Sequence, residues 1–513
     1  MPSIAELLAI AKGHHRSGQV AMATQVYQEV LAQEPTQSEA LYLLGLLAHQ
    51  SGDLDIAIQY YRRSLASQPA AETHNNLGAA LQQKGQLEAA IGHYQVALRL
   101  QPGHASANVN LGTTLLAQGN RAAAMVRFQR ALQLNPALPQ AHTNLAHLLK
   151  QQGREAEAID HYRRALHLWP DNPETYKHLG DALQEAGCMD EALALYDQGL
   201  QRHPSHSTLQ GSRLRTLLIS GNLLQGFAEY DPWRLAQQER SFSQPAWDGS
   251  DLMGRSILLY SETGAGFGDT LQMIRYAPLV AERGGRVIVE CQSSLVRLFQ
   301  ELEGIDTVVA RGDRLPEFQV QSSLLSLPLV FGTTLATIPA SVPYIRVSIA
   351  TNQIAVCLPE SGFKVGLVWG GDPDHLHDQD RSCPLVELLP CLQIPGITWI
   401  SLQKGSHCSE LSQIPPDLVQ DWSPYLTDFG ETAAAIASLD LVLTVDTAVA
   451  HLAGAMGKPT WLLLAYAADW RWLMERSDSP WYPSLTLFRQ SRRNDWSELC
   501  ERVARALGTL AGG

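Results

Sequence analysis

The chain has 513 residues, with 38 Lys and Arg against 51 Asp and Glu for a formal net charge of −13. That length fits about two to four domains with real cores. The acidic balance excludes a surface built to neutralise nucleic-acid phosphate, which needs clustered positive charge. Hydrophobic residues make up 45% and charged residues 17%, the balance of a packed globular chain rather than a disordered one. Seven scattered cysteines without a CxxC pair fit neither a disulfide framework nor a zinc cage. The N-terminus has no basic region leading into an apolar core, and no apolar stretch of about 18 residues occurs, so a cytoplasmic protein without membrane insertion is expected.

The first 220 residues repeat. Prolines stand at 35, 69, 102, 136, 170 and 204, spaced 34, 33, 34, 34 and 34. Glycines keep step at 18, 52, 85, 119, 153, 187 and 221, and a small residue follows each of the first six by five positions: Ala23, Ala57, Ala90, Ala124, Ala158 and Ala192. Each unit therefore reads as helix, glycine turn, helix, then a proline that ends the second helix. Units of this kind bury their apolar faces by stacking and leave a concave groove. One position of successive units carries Asn76, Asn110 and Asn144. An amide offers both donor and acceptor, so such a ladder suits an extended peptide backbone; packing or solvation is the other reading.

After Gly221 the pattern decays. Residues 223–253 read as a degenerate repeat and linker. From Ser256 short apolar runs alternate with helical segments: SILLYSE, a helix over about 269–283, RVIVE, SSLVRLFQEL and TVVA. A second alternating set begins at Lys364 with KVGLVWG and continues through ITWISLQ, LDLVLTVD and PTWLLLA. Strands alternating with helices imply parallel sheets and right-handed crossovers, hence two Rossmann-like halves, 254–350 and 351–513.

Ligands in open parallel sheets sit beyond the carboxyl ends of the strands. After SILLYSE comes TGAGFGDT, in which Gly264, Gly266 and Gly268 precede Asp269. The glycines let backbone approach a ligand, while Asp269 in place of the third fingerprint glycine argues against a dinucleotide. Asp269 is read either as a carboxylate for proton chemistry or as a helix N-cap. After LDLVLTV comes DTAVAHLAGAMGKP, where Asp446 is expected to cap a helix whose first turn carries Thr447, with His451 four residues on along the same face. Hydroxyl, imidazole and free N–H groups there suit a diphosphate without a metal. The loop 370–383 holds four Asp and two His but fails the calcium pattern, since counting from Asp372 places His377 at position six and Cys383 at twelve. No metal is expected. Arg381 and Lys404 are candidates for neutralising phosphate, or solvated surface cations. The aromatic loop 465–483 reads as core, with stacking on a base or sugar as the alternative.

The repeat pattern resembles the tetratricopeptide repeat. TGAGFGDT with its following helix and VDTAVAHLAGAMGKP resemble segments of the bacterial heptosyltransferase-like family of GT-B glycosyltransferases, and the layout resembles that of the protein O-GlcNAc transferases. The resemblance implies an all-α tetratricopeptide superhelix (1–222) followed by a GT-B-like pair of Rossmann-type α/β halves, acceptor side first and nucleotide-sugar side second. It implies a glycosyltransferase moving a sugar from a nucleotide-diphosphate donor to a hydroxyl of a protein or peptide held by the repeats, inverting and metal-independent, with no cofactor beyond that substrate. Asp269 would match the general base. Gly266, Gly268, Arg381, Lys404, Asp446, Thr447, Ala448 and His451 would form the donor side, and Asn76, Asn110 and Asn144 the peptide side. A non-catalytic adaptor, a glycan or lipid-linked acceptor, and homo-oligomeric assembly stay open.

Overall fold

The computed structural model describes residues 2–236, 240–347, 362–375 and 378–511. The 350/351 boundary expected between the α/β halves, and His377 of the 370–383 loop, lie outside them. The chain divides into two compact units, residues 1–182 and 183–513.

Fourteen helices of 13 to 14 residues run from α1 (Ile4–Arg16) to α14 (Leu223–Leu235), five successive pairs of them within the first unit. Within the first unit the turn glycines explain the pairing: Gly18, Gly52, Gly85, Gly119 and Gly153 have φ between +72° and +86°, which side-chain-bearing residues adopt only at a cost. The small residues Ala23, Ala57, Ala90, Ala124 and Ala158 are fully buried where the two helices of a pair touch. A second close approach uses another glycine position of the repeat, Gly45, Gly78 and Gly112, spaced 33 and 34 residues. Gly78 and Gly112 face the rings of Tyr94 and Phe128, and a Cβ at either would stand 2.7 Å from a ring carbon. The second helices end at Gln33, Ser67, Leu100, Leu134 and Leu168, two residues before each proline.

The second unit holds two parallel sheets. The first has β1 (Ser256–Tyr260), β2 (Arg286–Cys291), β3 (Thr307–Ala310) and β4 (Val320–Ser323) in the order β3-β2-β1-β4. Its register sets Ile257 against both Val287 and Val320. The second has β5 (Phe363–Val368), β6 (Ile397–Ser401), β7 (Val419–Asp421), β8 (Leu441–Val445), β9 (Thr460–Leu464) and β10 (Leu485–Arg489) in the order β10-β9-β8-β5-β6-β7. Central strands such as β1 and β8 are buried at every residue, as parallel sheets covered on both faces require. The helix expected over about 269–283 is instead broken. It begins at Phe267, runs to Met273, tightens to a 3-10 turn at Ile274–Tyr276 and resumes at Ala277–Ala281. Pro278 supplies no N–H to continue the ladder, which fits a fresh start there.

The last repeat pair, α13 (Ser207–Ile219) with α14, packs into the same core as the first sheet: Leu218, Ile219, Leu223 and Phe227 join Ile257, Leu259 and Trp470. Phe227 meets the Trp470 ring edge to face at 5.5 Å. Arg234 of α14 forms a buried ion pair with Glu262, just past β1. Ser323 at the end of β4 donates to the same Glu262 carboxylate, and Arg234 donates to Ser326 Oγ at 2.8 Å.

Candidate functional site

In each sheet the chain leaves its first strand in one direction and later returns to the other side, giving switch points between β1 and β4 and between β5 and β8. Open α/β sheets take ligands beyond the strand ends at such points.

On the first sheet Gly266 is the N-cap of helix Phe267–Met273, so Asp269 stands in its first turn rather than at the cap. Its Oδ2 accepts the Gly266 N–H at 2.9 Å. Its Oδ1 accepts from Arg471 Nη2 at 2.5 Å, across 202 residues of sequence. Arg471 lies in the aromatic loop after β9. Its Nε donates to Gln272 Oε1 at 2.6 Å and its Nη1 to Asp469 Oδ1 at 2.7 Å. Its guanidinium also lies 4.5 Å from the Trp470 ring centroid. Burial opposes the Arg471 charge, but Asp469 and Asp269 outweigh it and hold the group above its ordinary pKa.

On the second sheet the expected cap is corrected. Thr447, in extended backbone, is the N-cap of helix Ala448–Ala455, and its Oγ1 accepts the Val449 N–H at 3.3 Å. Asp446 precedes the cap, half-buried at the end of β8. Burial, reinforced by the like charge of Asp469, pushes its carboxyl up to about 6. His451 is 5% exposed. Its Nδ1 lies 2.9 Å from the Tyr482 hydroxyl, its ring packs on Trp472 at 5.2 Å, and its other edge faces Gly268, where a Cβ would stand 2.7 Å from Cδ2. Gly268 therefore serves the close approach of the two helices. Burial holds His451 well below its ordinary pKa, with Arg471 and Arg275 adding to the effect, so the ring is neutral at pH 7.

Two further candidates, Arg381 and Lys404, follow β5 and β6 of the second sheet. Gln403, buried beyond β6, accepts from the Trp369 and Gly370 N–H groups at 3.0 and 2.9 Å and so ties the loop after β5 to that after β6. Arg381 Nε donates to the buried Asp378 at 3.3 Å, and Asp378 also accepts from Ser382 Oγ at 3.0 Å and lies 3.3 Å from His407 Nε2. Lys404 is exposed, with its ammonium on the Ser423 carbonyl at 2.8 Å. The structure thus brings Asp269, Gly268, His451 and Asp446 around Arg471, whose charge together with that of Arg381 acts on Asp446.

Sequence reasoning missed Arg471 and Arg275. Arg275 is buried without a carboxylate partner among the described residues. It donates to Trp481 O at 2.8 Å and Tyr344 Oη at 3.0 Å and stacks on Tyr482 at 4.6 Å. The signal available for Arg471 was the tripeptide WRW, a cation within an apolar loop that must find an acceptor. The loop's aromatics are core: Trp472, Trp481 and Tyr482 are fully buried.

In the repeats, Asn76 donates to Tyr42 Oη at 3.1 Å, Asn110 to Asn75 Oδ1 at 2.9 Å and Asn144 to Thr113 Oγ1 at 3.3 Å, each linking neighbouring repeats. Asn110 and Asn144 also line a groove with Thr113, Thr143, Trp169 and Asn172. Asn110 and Asn144 thus both pack between repeats and border the groove, while Asn76 packs between repeats.

Comparison with known proteins matches this architecture segment by segment. Tetratricopeptide repeat families match residues 8–72 and 109–173, 69–137, and 149–216. Glycosyltransferase family 9 (heptosyltransferase) matches residues 426–499, the stretch holding Asp446, Thr447, Ala448, His451 and Arg471. Tetratricopeptide repeat models thus match parts of the N-terminal helices, and the glycosyltransferase family 9 model matches part of the second sheet region. Protein FlbA of Caulobacter vibrioides is similar, 27% identical over 342 residues, covering 59% of this chain and 55% of FlbA. The chain thus spans about half the length of the curated relative it matches. Among solved structures, pilF of Pseudomonas aeruginosa is 21% identical with a TM-score of 0.38 over 40% of this chain and 95% of its own. YrrB, described as a tetratricopeptide protein with an unusual peptide-binding site, is 19% identical with a TM-score of 0.31 over 36% of this chain and 97% of its own. No helix among the described residues is long and apolar enough to cross a membrane.

Proposed function

We propose that this chain is a glycosyltransferase that moves a sugar from a nucleotide-diphosphate donor to a hydroxyl of a protein or peptide recruited by the tetratricopeptide repeats, by a metal-independent, inverting displacement. The observation that carries the reading is the facing of Asp269, beyond β1, with the family 9 segment beyond β8. In the displacement the acceptor oxygen bonds to the anomeric carbon as the bond from that carbon to the diphosphate oxygen breaks. Asp269 takes the acceptor proton, help worth about 10²- to 10⁴-fold. The helix start at Thr447 and Ala448, with Arg381 and Lys404, receives the departing diphosphate; one such contact is worth roughly 10²- to 10³-fold. Neutral His451 acts by holding Gly268 and its helix in register with Tyr482.

The test is nucleotide release across a panel of nucleotide sugars, with and without lysate protein. Release from one donor that rises with protein and falls at least about 100-fold in Asp269→Asn is expected. Unchanged turnover in that variant refutes the base; binding of a donor without turnover under any condition favours a nucleotide-sugar-binding adaptor.

A further inference from the structure

Asp269 is not idle in the resting structure. Both of its oxygens already accept hydrogen bonds, Oδ2 from the Gly266 N–H at 2.9 Å and Oδ1 from the Arg471 guanidinium at 2.5 Å. An acceptor hydroxyl approaching Oδ1 would compete with a cation for the same lone pairs. The three partners of Arg471 are not equivalent. Asp469 is two residues away and its Oδ1 also accepts the Arg471 backbone N–H at 3.1 Å, so it is tied to the loop whatever the side chain does. Asp269 and Gln272 come from the opposite half.

The other cations of the donor side are committed differently. Arg381 is held by the buried Asp378, and Lys404 lies exposed on a carbonyl. Arg471, its side chain 12% exposed, stands between Asp269 and the end of β8, where its charge acts on Asp446. Three of its five N–H groups serve the partners named, and a guanidinium fork matches a diphosphate bidentately.

We propose that Arg471 is a donor-diphosphate ligand whose resting partner is Asp269, so that the arriving diphosphate takes the guanidinium and unmasks the carboxylate. This rests on the transferase reading above. The exchange makes proton acceptance conditional on donor: without donor, Asp269 is occupied by Arg471; with donor bound, Oδ1 receives the acceptor hydroxyl proton while Arg471 neutralises the charge left on the diphosphate. No bond other than those of the displacement forms or breaks. A purely structural latch between the halves would share the geometry but not the competition, and the two differ in sign.

The experiment is calorimetric binding of UDP, GDP, ADP, CDP and TDP to the full chain as wild type, Asp269→Asn, Arg471→Lys and Arg471→Met. Exchange predicts that Asp269→Asn binds the preferred diphosphate about 3- to 10-fold more tightly than wild type, because a competing anion has gone. Arg471→Met should lose about 30-fold or more, with Arg471→Lys between. Asp269→Asn, isosteric and neutral, keeps the test valid should Arg471→Met fail to fold. Unchanged or weaker binding in Asp269→Asn overturns the exchange, as does wild-type affinity in Arg471→Met. Wild type that binds none of the five overturns the transferase reading and this assignment together, whereas binding with the wrong response to substitution overturns this assignment alone.

Discussion

The repeat half and the α/β half are built on opposite plans. In residues 1–182 every stabilising device recurs at about 34 residues: a positive-φ glycine, a buried alanine, a helix-ending proline and an amide bond to the neighbouring repeat. In residues 183–513 the decisive contacts occur once and span long stretches of chain. Asp269 meets Arg471 across 202 residues and Arg275 meets Trp481 across 206. Local pairing gives stability by summation of neighbours, whereas the contacts of the second unit tie together stretches distant in sequence. α14 belongs to the repeats by sequence and to the α/β core by packing.

The sharpest way to test that division is Arg234→Met. It leaves Glu262 buried without its cation and should cost about 3–5 kcal/mol in denaturant unfolding of the α/β half. A change confined to the helices of the array would erase the distinction drawn for α14. Next in size, Gly112→Val drives a Cβ toward the Phe128 ring and should cost about 1–3 kcal/mol. Hydrogen exchange should locate the loss in the two helices of that repeat and their neighbours, and global loosening would break the comparison.

A smaller effect carries a pH signature. The folded Asp446 carboxyl titrates at about 6, above the unfolded-chain value near 4. Between those values the native state keeps a proton that the unfolded chain has released, so stability falls as pH rises through the window. Asp446→Asn should therefore gain about 1–2 kcal/mol at pH 8 and nothing at pH 4, read as the difference in unfolding midpoints. The smallest effect belongs to Asn110→Ala, about 0.5–1 kcal/mol for one inter-repeat hydrogen bond.

How much was legible follows from the same contrast. A period of 34 residues made the alternation of helix, glycine turn, helix and proline readable, because each turn glycine and proline is a local cause of local structure. β1, β5 and β8 were readable as apolar runs. β4 and β7 were not: VQSS and VQD are short and polar, and become strands only because β1 and β6 lie beside them with unpaired backbone. The carboxylate Asp269 and the cap region Asp446–Thr447 were legible from their place after strands, although the capping residue is Thr447 rather than Asp446. Arg471 was not, since its role is defined by a carboxylate that no spacing rule connects to it.

The seating of α14 on the first sheet also bears on how such a chain varies over generations. Whole 34-residue units ahead of residue 182 meet their neighbours through similar surfaces that differ in detail, Asn76, Asn110 and Asn144 each having a different partner, so duplication or deletion there exchanges one neighbour contact for a related one. The pair Ser207–Leu235 has no such freedom, because Phe227 and Arg234 are written against particular partners, Trp470 and Glu262. Descendants of this chain should therefore drift in array length from the front while inheriting the final helix pair and the α/β body as a single allele-like block.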